Sequence, residues 1–243
     1  MIKRIINISI YFIFLTNTIL LADQEISKSY TIYIKLPLVP KISFQNIDTK
    51  LDFDEKFFTY SYNVETINNL DFIKSTESTG FINGQLINGN YYPDNYNNSS
   101  IRGDQKRSIH FEYLENQIKF ISVIPPYDKN NLSAVTESML INSIDPITLF
   151  LKLTDYDYVK NCDVIFNIYD GKRRYDIILS NKSEEQEFFR CKLEQKKIGG
   201  YKLEKQNEST KALTELVYKK NIKNKFIFDS VEFKDDFFSI IIQ

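Results

Sequence analysis

The chain of 243 residues has no tryptophan, one histidine, two cysteines, seven glycines and six prolines. Each scarcity removes a class of chemistry. With His110 alone, any Ser-His-Asp or Cys-His arrangement would have to use that one imidazole, and no nucleophile elbow surrounds it. It lies in "RSIHFEY", where alternation places it opposite Ile109 and Phe111, and a solvent-facing strand position is expected. Two cysteines and a histidine, widely spaced, make no zinc pattern, so no metal is expected. No Gly-rich phosphate or dinucleotide loop occurs, so no cofactor is expected either. Paired acids such as Asp235-Asp236 and Glu184-Glu185 sit in polar turns and read as solvated. An excess of positive charge is also missing: the formal net charge is −1. Nucleic-acid binding rests on a basic surface, which argues against that partner. On these grounds an enzyme is not expected.

Long apolar runs are scarce too, and the one present is N-terminal. "MIKRIINISIYFIFLTNTILLADQ" has a basic start at Lys3 and Arg4, an apolar stretch from Ile5 to Leu21, and small Ala22 before a polar segment. This is the layout of a secretory signal peptide, residues 1–22. Its removal takes away two positive charges and moves the net charge from −1 to −3. The alternative is an uncleaved anchor to the inner membrane, although the run is slightly under the roughly 20 residues a spanning helix needs. No other stretch could span. Cys162 and Cys191, an even count in an exported chain, read as a disulfide, with two buried free thiols as the alternative. Closing a loop of about 30 residues would stabilise the fold by roughly 3–4 kcal/mol in the chain-entropy model.

What is abundant is aromatic and β-branched: 19 Phe and 16 Tyr among many Ile. These favour strands. Residues 23–243 show no repeat, linker or low-complexity tract, and read as one β-rich domain. "SYTIYIKL" puts Tyr30, Ile32 and Ile34 on one face, and "KFFTYSYNV" sets Phe58, Tyr60 and Tyr62 against Phe57, Thr59 and Ser61. "SIHFEYLENQIKFISVI" reads as a hairpin turning near Glu115-Asn116, with Ile109, Phe111 and Tyr113 leading to Ile118, Phe120 and Ser122. "NGNYYPDNYNNSS" and "PPYDKNN" read as Asn- and Tyr-rich loops. The expectation is an all-β, mainly antiparallel fold: a curved sheet or half-barrel of roughly ten strands. One short covering helix is expected near 146–153. There Asp145 reads as the N-cap and Pro146 as the first helical residue, with Ile147, Phe150 and Leu151 on one face.

"DGKRRYD" at 170–176 is the most distinctive run. Asp170-Gly171 reads as a two-residue type I′ hairpin turn. That register pairs Ile168 with Arg173, Phe166 with Tyr175 and Val164 with Ile177 on one face. Arg174 and Asp176 would then pair outward on the other. Cross-strand satisfaction accounts for most of the run. The functional alternative has Arg173, beside Tyr175, holding an anionic head group at the mouth of an apolar pocket.

The order of these motifs resembles that of exported proteobacterial proteins grouped as domain of unknown function 3108. The elements are the "Y-x-I-Y" strand, "NYYPDNY" at 90–96, "IDPITLFLKL" at 144–153, "IYDGKRRYDI" at 168–177 between the two cysteines, and "KKIGGYKLEK" at 196–205. The resemblance spans about Tyr30 to Ile241. It departs from the family pattern at "IKLPLVPKI" (34–42), where a Gly-rich turn is the rule. It implies a periplasmic protein of a Gram-negative envelope and no established activity. The expectation is a non-catalytic binding or chaperone-like module for a lipid or other hydrophobic ligand. The alternative is a structural envelope protein working through protein partners. The oligomeric state is not legible.

Overall fold

The computed structural model describes residues 24–35, 40–68, 76–205, 213–234 and 239–243. The expected signal segment, residues 1–22, lies outside them, as do 36–39 of the departing turn and the Asp235-Asp236 pair. Within the described residues the chain first forms seven strands in sequence. They are β1 (Gln24–Lys35), β2 (Ile42–Phe53), β3 (Phe57–Thr66), β4 (Thr76–Ile87), β5 (Asn90–Arg102), β6 (Gln105–Leu114) and β7 (Gln117–Ile124). After a crossing segment come β8 (Ser143–Ile144), helix α1 (Pro146–Thr154) and the one-turn α2 (Tyr156–Val159). A second run follows: β9 (Val164–Tyr169), β10 (Arg174–Glu184), β11 (Phe188–Gly199), β12 (Leu213–Lys220), β13 (Phe226–Lys234) and β14 (Ser239–Ile242).

All fourteen strands belong to one sheet, in the order β7-β6-β5-β4-β3-β2-β1-β14-β13-β12-β11-β10-β9-β8. Each run is a meander, and the first and last strands join the two, with Ile32 opposite Ile242. Every pairing is antiparallel except the two-residue β8 beside β9. The sheet curls until its ends meet through side chains. Phe111 on β6 stacks on Tyr169 on β9, with centroids 5.5 Å apart, and the Tyr113 hydroxyl donates to Asp145 at 3.0 Å. No ladder joins β7 to β8 among the described residues, so the barrel is nearly, not fully, closed.

Alternation sets which side chains go inside. Phe58, Tyr60 and Tyr62 are buried while Phe57 is exposed, and Tyr30 and Ile34 point inward from β1. Helix α1 lies in the interior and separates two apolar cores. Leu151 packs with Leu51, Phe58, Ile82 and Phe111. Leu153 packs with Phe166, Ile168, Leu179, Phe189 and Tyr218. A helix apolar on most sides needs such an enclosure. Its start is built by Asp145. One carboxylate oxygen accepts from the backbone N–H groups of Ile147 (2.9 Å) and Thr148 (2.8 Å). The other accepts from the Thr148 hydroxyl (2.6 Å) and Tyr113. Pro146 occupies the first turn, where a missing N–H costs nothing. At the far end the Tyr218 hydroxyl donates to the Leu153 carbonyl, one of the acceptors the helix leaves open. The Cys162–Cys191 bond, Cα–Cα 5.4 Å, ties the segment between α2 and β9 to β11 deep in the second core.

Three sequence expectations need correction. Among the described residues the strands number fourteen, not roughly ten, chiefly because polar segments pair. "NYYPDNYNNSSIR", read as a loop, is β5, laddered to β4 and β6. Its polar side chains bond across strands, as Ser78 does to Asn98 at 2.8 Å. Pro93 is accommodated at a bulge opposite Gly84. The β6–β7 hairpin does turn at Glu115-Asn116, both with positive φ (51° and 61°). A bulge then puts Tyr113 opposite Ile118 and Glu112 opposite Phe120. The extra residue, Lys119, sends Phe120 outward, 49% exposed, and Ile121 and Val123 take its place opposite Phe111 and Ile109. The third correction concerns residues 170–173, where Ile168 lies opposite Tyr175, not Arg173.

Candidate functional site

The turn at 170–173 is governed by a carboxylate. Asp170 accepts from the backbone N–H of Lys172 (3.0 Å) and Arg173 (2.7 Å). Its own N–H donates to the Arg173 carbonyl (3.2 Å). The side chain thus stands in for a backbone acceptor, and the strands end at the pair Tyr169–Arg174. Only Gly171 of the four takes positive φ, 88°. The connection is therefore four residues long rather than the two of a type I′ turn. The shift keeps the parity, so Phe166, Ile168, Tyr175 and Ile177 do share a face, but Arg173 is no longer on it.

Arg173 is exposed and bound to Asp170 through two nitrogens (2.8 and 2.7 Å), with its guanidinium 5.9 Å from the Tyr201 ring centroid. Tyr175 packs half-buried against the second core, and burial raises its phenol pKa. Neither lines the two recesses described below. Arg174 pairs with Asp176 at 2.6 Å, yet it is 6% exposed rather than outward. It also donates to the carbonyls of Met139 (2.7 Å) and Tyr175 (2.7 Å), clamping the crossing segment to the sheet. His110 sits on the outer face, its Nδ1 2.9 Å from Asn97 and its Nε2 3.3 Å from Glu112. Among the described residues no group of three or more His, Cys, Asp or Glu is placed to hold a metal ion.

What the turn does build is one wall of a recess. Gly171 and Lys172 face a cavity of about 580 Å³. Its other walls are Ile121 and Val123 of β7, Tyr169, Gly200, and the crossing segment from Pro126 to Val135. That segment forms a strap over the barrel seam. It is fixed by a bridge between Leu132 and Lys202. The Ser133 N–H donates to the Tyr201 carbonyl (2.8 Å), and the Gly200 N–H to the Ser133 carbonyl (2.9 Å). Gly200 has φ 78°, and a Cβ there would lie 2.0 Å from the Lys172 carbonyl oxygen. Only glycine lets strap, hairpin tip and β11 converge, which gives the "GG" of "KKIGGYK" a structural cause.

The electrostatics of the recess are one-sided. Lys129 and Lys172 line it and no acid does. Arg107 lies beside it, its guanidinium 3.8 Å from the centroid of the lining Tyr127, with Lys172 Nζ 5.3 Å from the same ring. Arg107 also donates to the Pro125 carbonyl (3.1 Å), holding the start of the strap. Among the described residues, none of these three cations forms an ion pair with a carboxylate. Tyr169 closes the floor with its hydroxyl on the Gly171 carbonyl (3.0 Å), and burial raises its pKa to about 12. That phenol stays neutral.

A second recess, about 540 Å³, opens at the C-terminal end of α1, walled by Tyr30, Tyr60, Tyr91, Tyr156 and Phe228. Its charges cancel: Lys28 and Lys225 stand against Asp155 and Asp157. Beside it Lys152 is largely buried, with Nζ 4.5 Å from the Tyr158 ring centroid, and desolvation lowers its pKa to about 8.

Arg173 and Tyr175, singled out from the sequence, lie outside the lining of this recess. Lys172, inside the quoted run, and Lys129 and Tyr127, inside a segment read as a plain loop, are the residues at the recess. A structureless stretch from Pro125 to Thr136 between a strand and a helix was the available signal, since such long connections are uncommon without a task.

No protein-family model and no curated protein matches this chain, so the resemblance to domain of unknown function 3108 has no matching family model behind it. Among solved structures, a β-barrel-like protein of domain of unknown function 1849 from Brucella abortus is similar at a TM-score of 0.47 and 8% identity. The match covers 88% of this chain and 94% of that one.

Proposed function

We propose that this chain is a non-catalytic binding module of the bacterial envelope that holds a hydrophobic ligand under its strap. One observation carries the reading. The recess is walled by Ile121, Val123, Leu132, Val135 and Tyr169, and its size falls within the roughly 300–1,000 Å³ of small-molecule sites. The plugged interior argues against a ligand deeper in the barrel, because α1 fills the axis. Export to the periplasm is the compartment that fits the basic-apolar N-terminus and the disulfide. An uncleaved N-terminus would keep the same module tethered to the inner membrane. The order of motifs supports a place among the proteins of domain of unknown function 3108.

The test is occupancy. Native mass spectrometry of the gently purified protein should show a bound apolar species that organic extraction removes. Val135→Phe, which intrudes a ring into the recess, should weaken uptake of a dodecyl-chain probe while circular dichroism stays unchanged. Undiminished uptake by that variant would sink the reading.

A second reading has one observation in its favour. Strand β7, the last in the sheet order, has no further ladder partner among the described residues and exposes Phe120 (49%) and Ile124 (66%), a surface suited to a protein partner. Substituting both by Lys should leave ligand uptake intact and remove any partner captured through β7.

A further inference from the structure

We infer that the ligand of the strap recess is an anionic amphiphile, a single apolar chain ending in a carboxylate or phosphate, and that Lys129, Lys172 and Arg107 form its head-group clamp. The inference rests on the binding reading above and narrows it.

The argument is one of unbalanced charge. Several cations of this barrel have carboxylate partners. Lys50 faces Glu25 and Asp52, Arg173 faces Asp170, Arg174 faces Asp176, and Lys192 faces Glu194. Arg107, Lys129 and Lys172 have none among the described residues. They nevertheless converge, two within 5.3 Å of one ring centroid and the third on the same strap. Like charges held together without a counter-charge repel one another. A bound anion relieves that repulsion and supplies charge-assisted hydrogen bonds. Tyr127 offers a ring face on which Arg107 and Lys172 both lie. The apolar walls begin directly behind: Ile121, Val123 and Leu132 offer no donor or acceptor to a polar ligand body. A cation end and an apolar body in one recess select an amphiphile over a free anion or a neutral hydrocarbon. The second recess, with two lysines against two aspartates, lacks this bias.

Arg173, the cation first suspected from the sequence, is excluded from the clamp by its partner. Asp170 takes two of its nitrogens, and that pair serves the turn.

The experiment measures binding of four probes to the full chain by isothermal titration: dodecanoate, dodecyl phosphate, dodecanamide and inorganic phosphate. The inference expects dodecanoate and dodecyl phosphate to bind at least about tenfold more tightly than dodecanamide, the ratio that about 1.4 kcal/mol of head-group interaction produces. Inorganic phosphate should show no measurable heat. The Lys129→Gln/Lys172→Gln double variant changes partly exposed side chains, so its fold should hold. It should lose about tenfold for the two anionic probes and stay within about twofold for the amide. Added salt should weaken the anionic probes alone. Equal binding of amide and carboxylate would overturn the clamp while leaving hydrophobic binding intact. Failure of all three dodecyl probes would overturn the binding reading itself. Phosphate binding as tightly as dodecyl phosphate would show an anion site that makes no use of the apolar walls, and would overturn the amphiphile.

Discussion

Asp145 is where the fold is most exposed to a single change. It is fully buried and its two oxygens accept four hydrogen bonds, from the N–H groups of Ile147 and Thr148 and the hydroxyls of Thr148 and Tyr113. Asp145→Ala removes an N-cap, worth about 1 kcal/mol. It also strands two buried hydroxyls, at about 1–3 kcal/mol each. The loss should come to about 3–7 kcal/mol, a large share of the roughly 5–15 kcal/mol that holds a domain together. Asp145→Asn keeps one carbonyl oxygen for the two N–H groups, and both hydroxyls can rotate to accept from its amide. It should cost about 1 kcal/mol. The two variants also differ from the parent in pH response. Burial raises the folded-state pKa of Asp145 above its unfolded value, near 3.9. The folded state therefore binds the extra proton, and stability falls as pH rises from about 4 through the folded pKa. The Asn variant should lack this slope. Urea unfolding followed by far-ultraviolet circular dichroism between pH 4 and 8 measures both quantities. An Asn variant as unstable as the Ala variant, or an Ala variant within about 1 kcal/mol of the parent, would refute the acceptor argument.

Three further outcomes follow from the same geometry. Replacing Cys162 and Cys191 together by Ala should cost roughly 3–4 kcal/mol, read as a lower urea midpoint, and an unchanged midpoint would contradict a constraining bond. Lys152, whose folded pKa is lowered to about 8 against about 10.4 unfolded, leaves the unfolded chain with more bound protons across that window, so its contribution to stability rises with pH between them. Melting temperatures at pH 7 and 9.5 should show that rise in the parent and lose it in Lys152→Met. Gly200→Ala puts a Cβ against the Lys172 carbonyl in a left-handed residue, so it should cost about 1–3 kcal/mol and weaken dodecanoate binding by displacing the strap. Full retention of binding would separate the strap from the site.

Much of the barrel is legible in the sequence because burial follows local alternation. The inward sets Phe58-Tyr60-Tyr62 and Phe166-Ile168 need no knowledge of the partner strand. The cap at Asp145-Pro146 is equally local. What escapes local reading is whatever depends on a partner. Strand β5 looks like a loop because its Asn side chains find their partners on the neighbouring strands, Asn98 accepting from Ser78 on β4 and Asn97 meeting His110 on β6. The bulge at Lys119 reverses Phe120 without any marker in composition. The turn at Asp170 spans four residues because its carboxylate takes the Lys172 and Arg173 N–H groups in addition to the backbone bond to the Arg173 carbonyl, and the parity-preserving shift keeps every apolar residue correctly faced while removing Arg173. The recess is the extreme case. Arg107, Lys129 and Lys172 are separated by more than twenty and forty residues; the strap's crossing of the seam brings Arg107 and Lys172 to the Tyr127 ring and Lys129 to the wall of the same recess.

The most direct measurement is a chemical-shift map of the isotopically labelled protein titrated with dodecanoate. The backbone amides of Ile121, Val123, Tyr127, Leu132, Lys172 and Gly200 should move together and saturate. Shifts confined to the other end of the barrel, around Tyr30, Thr154 and Phe228, or no shift at saturating ligand, would contradict a hydrophobic anion held beneath the strap.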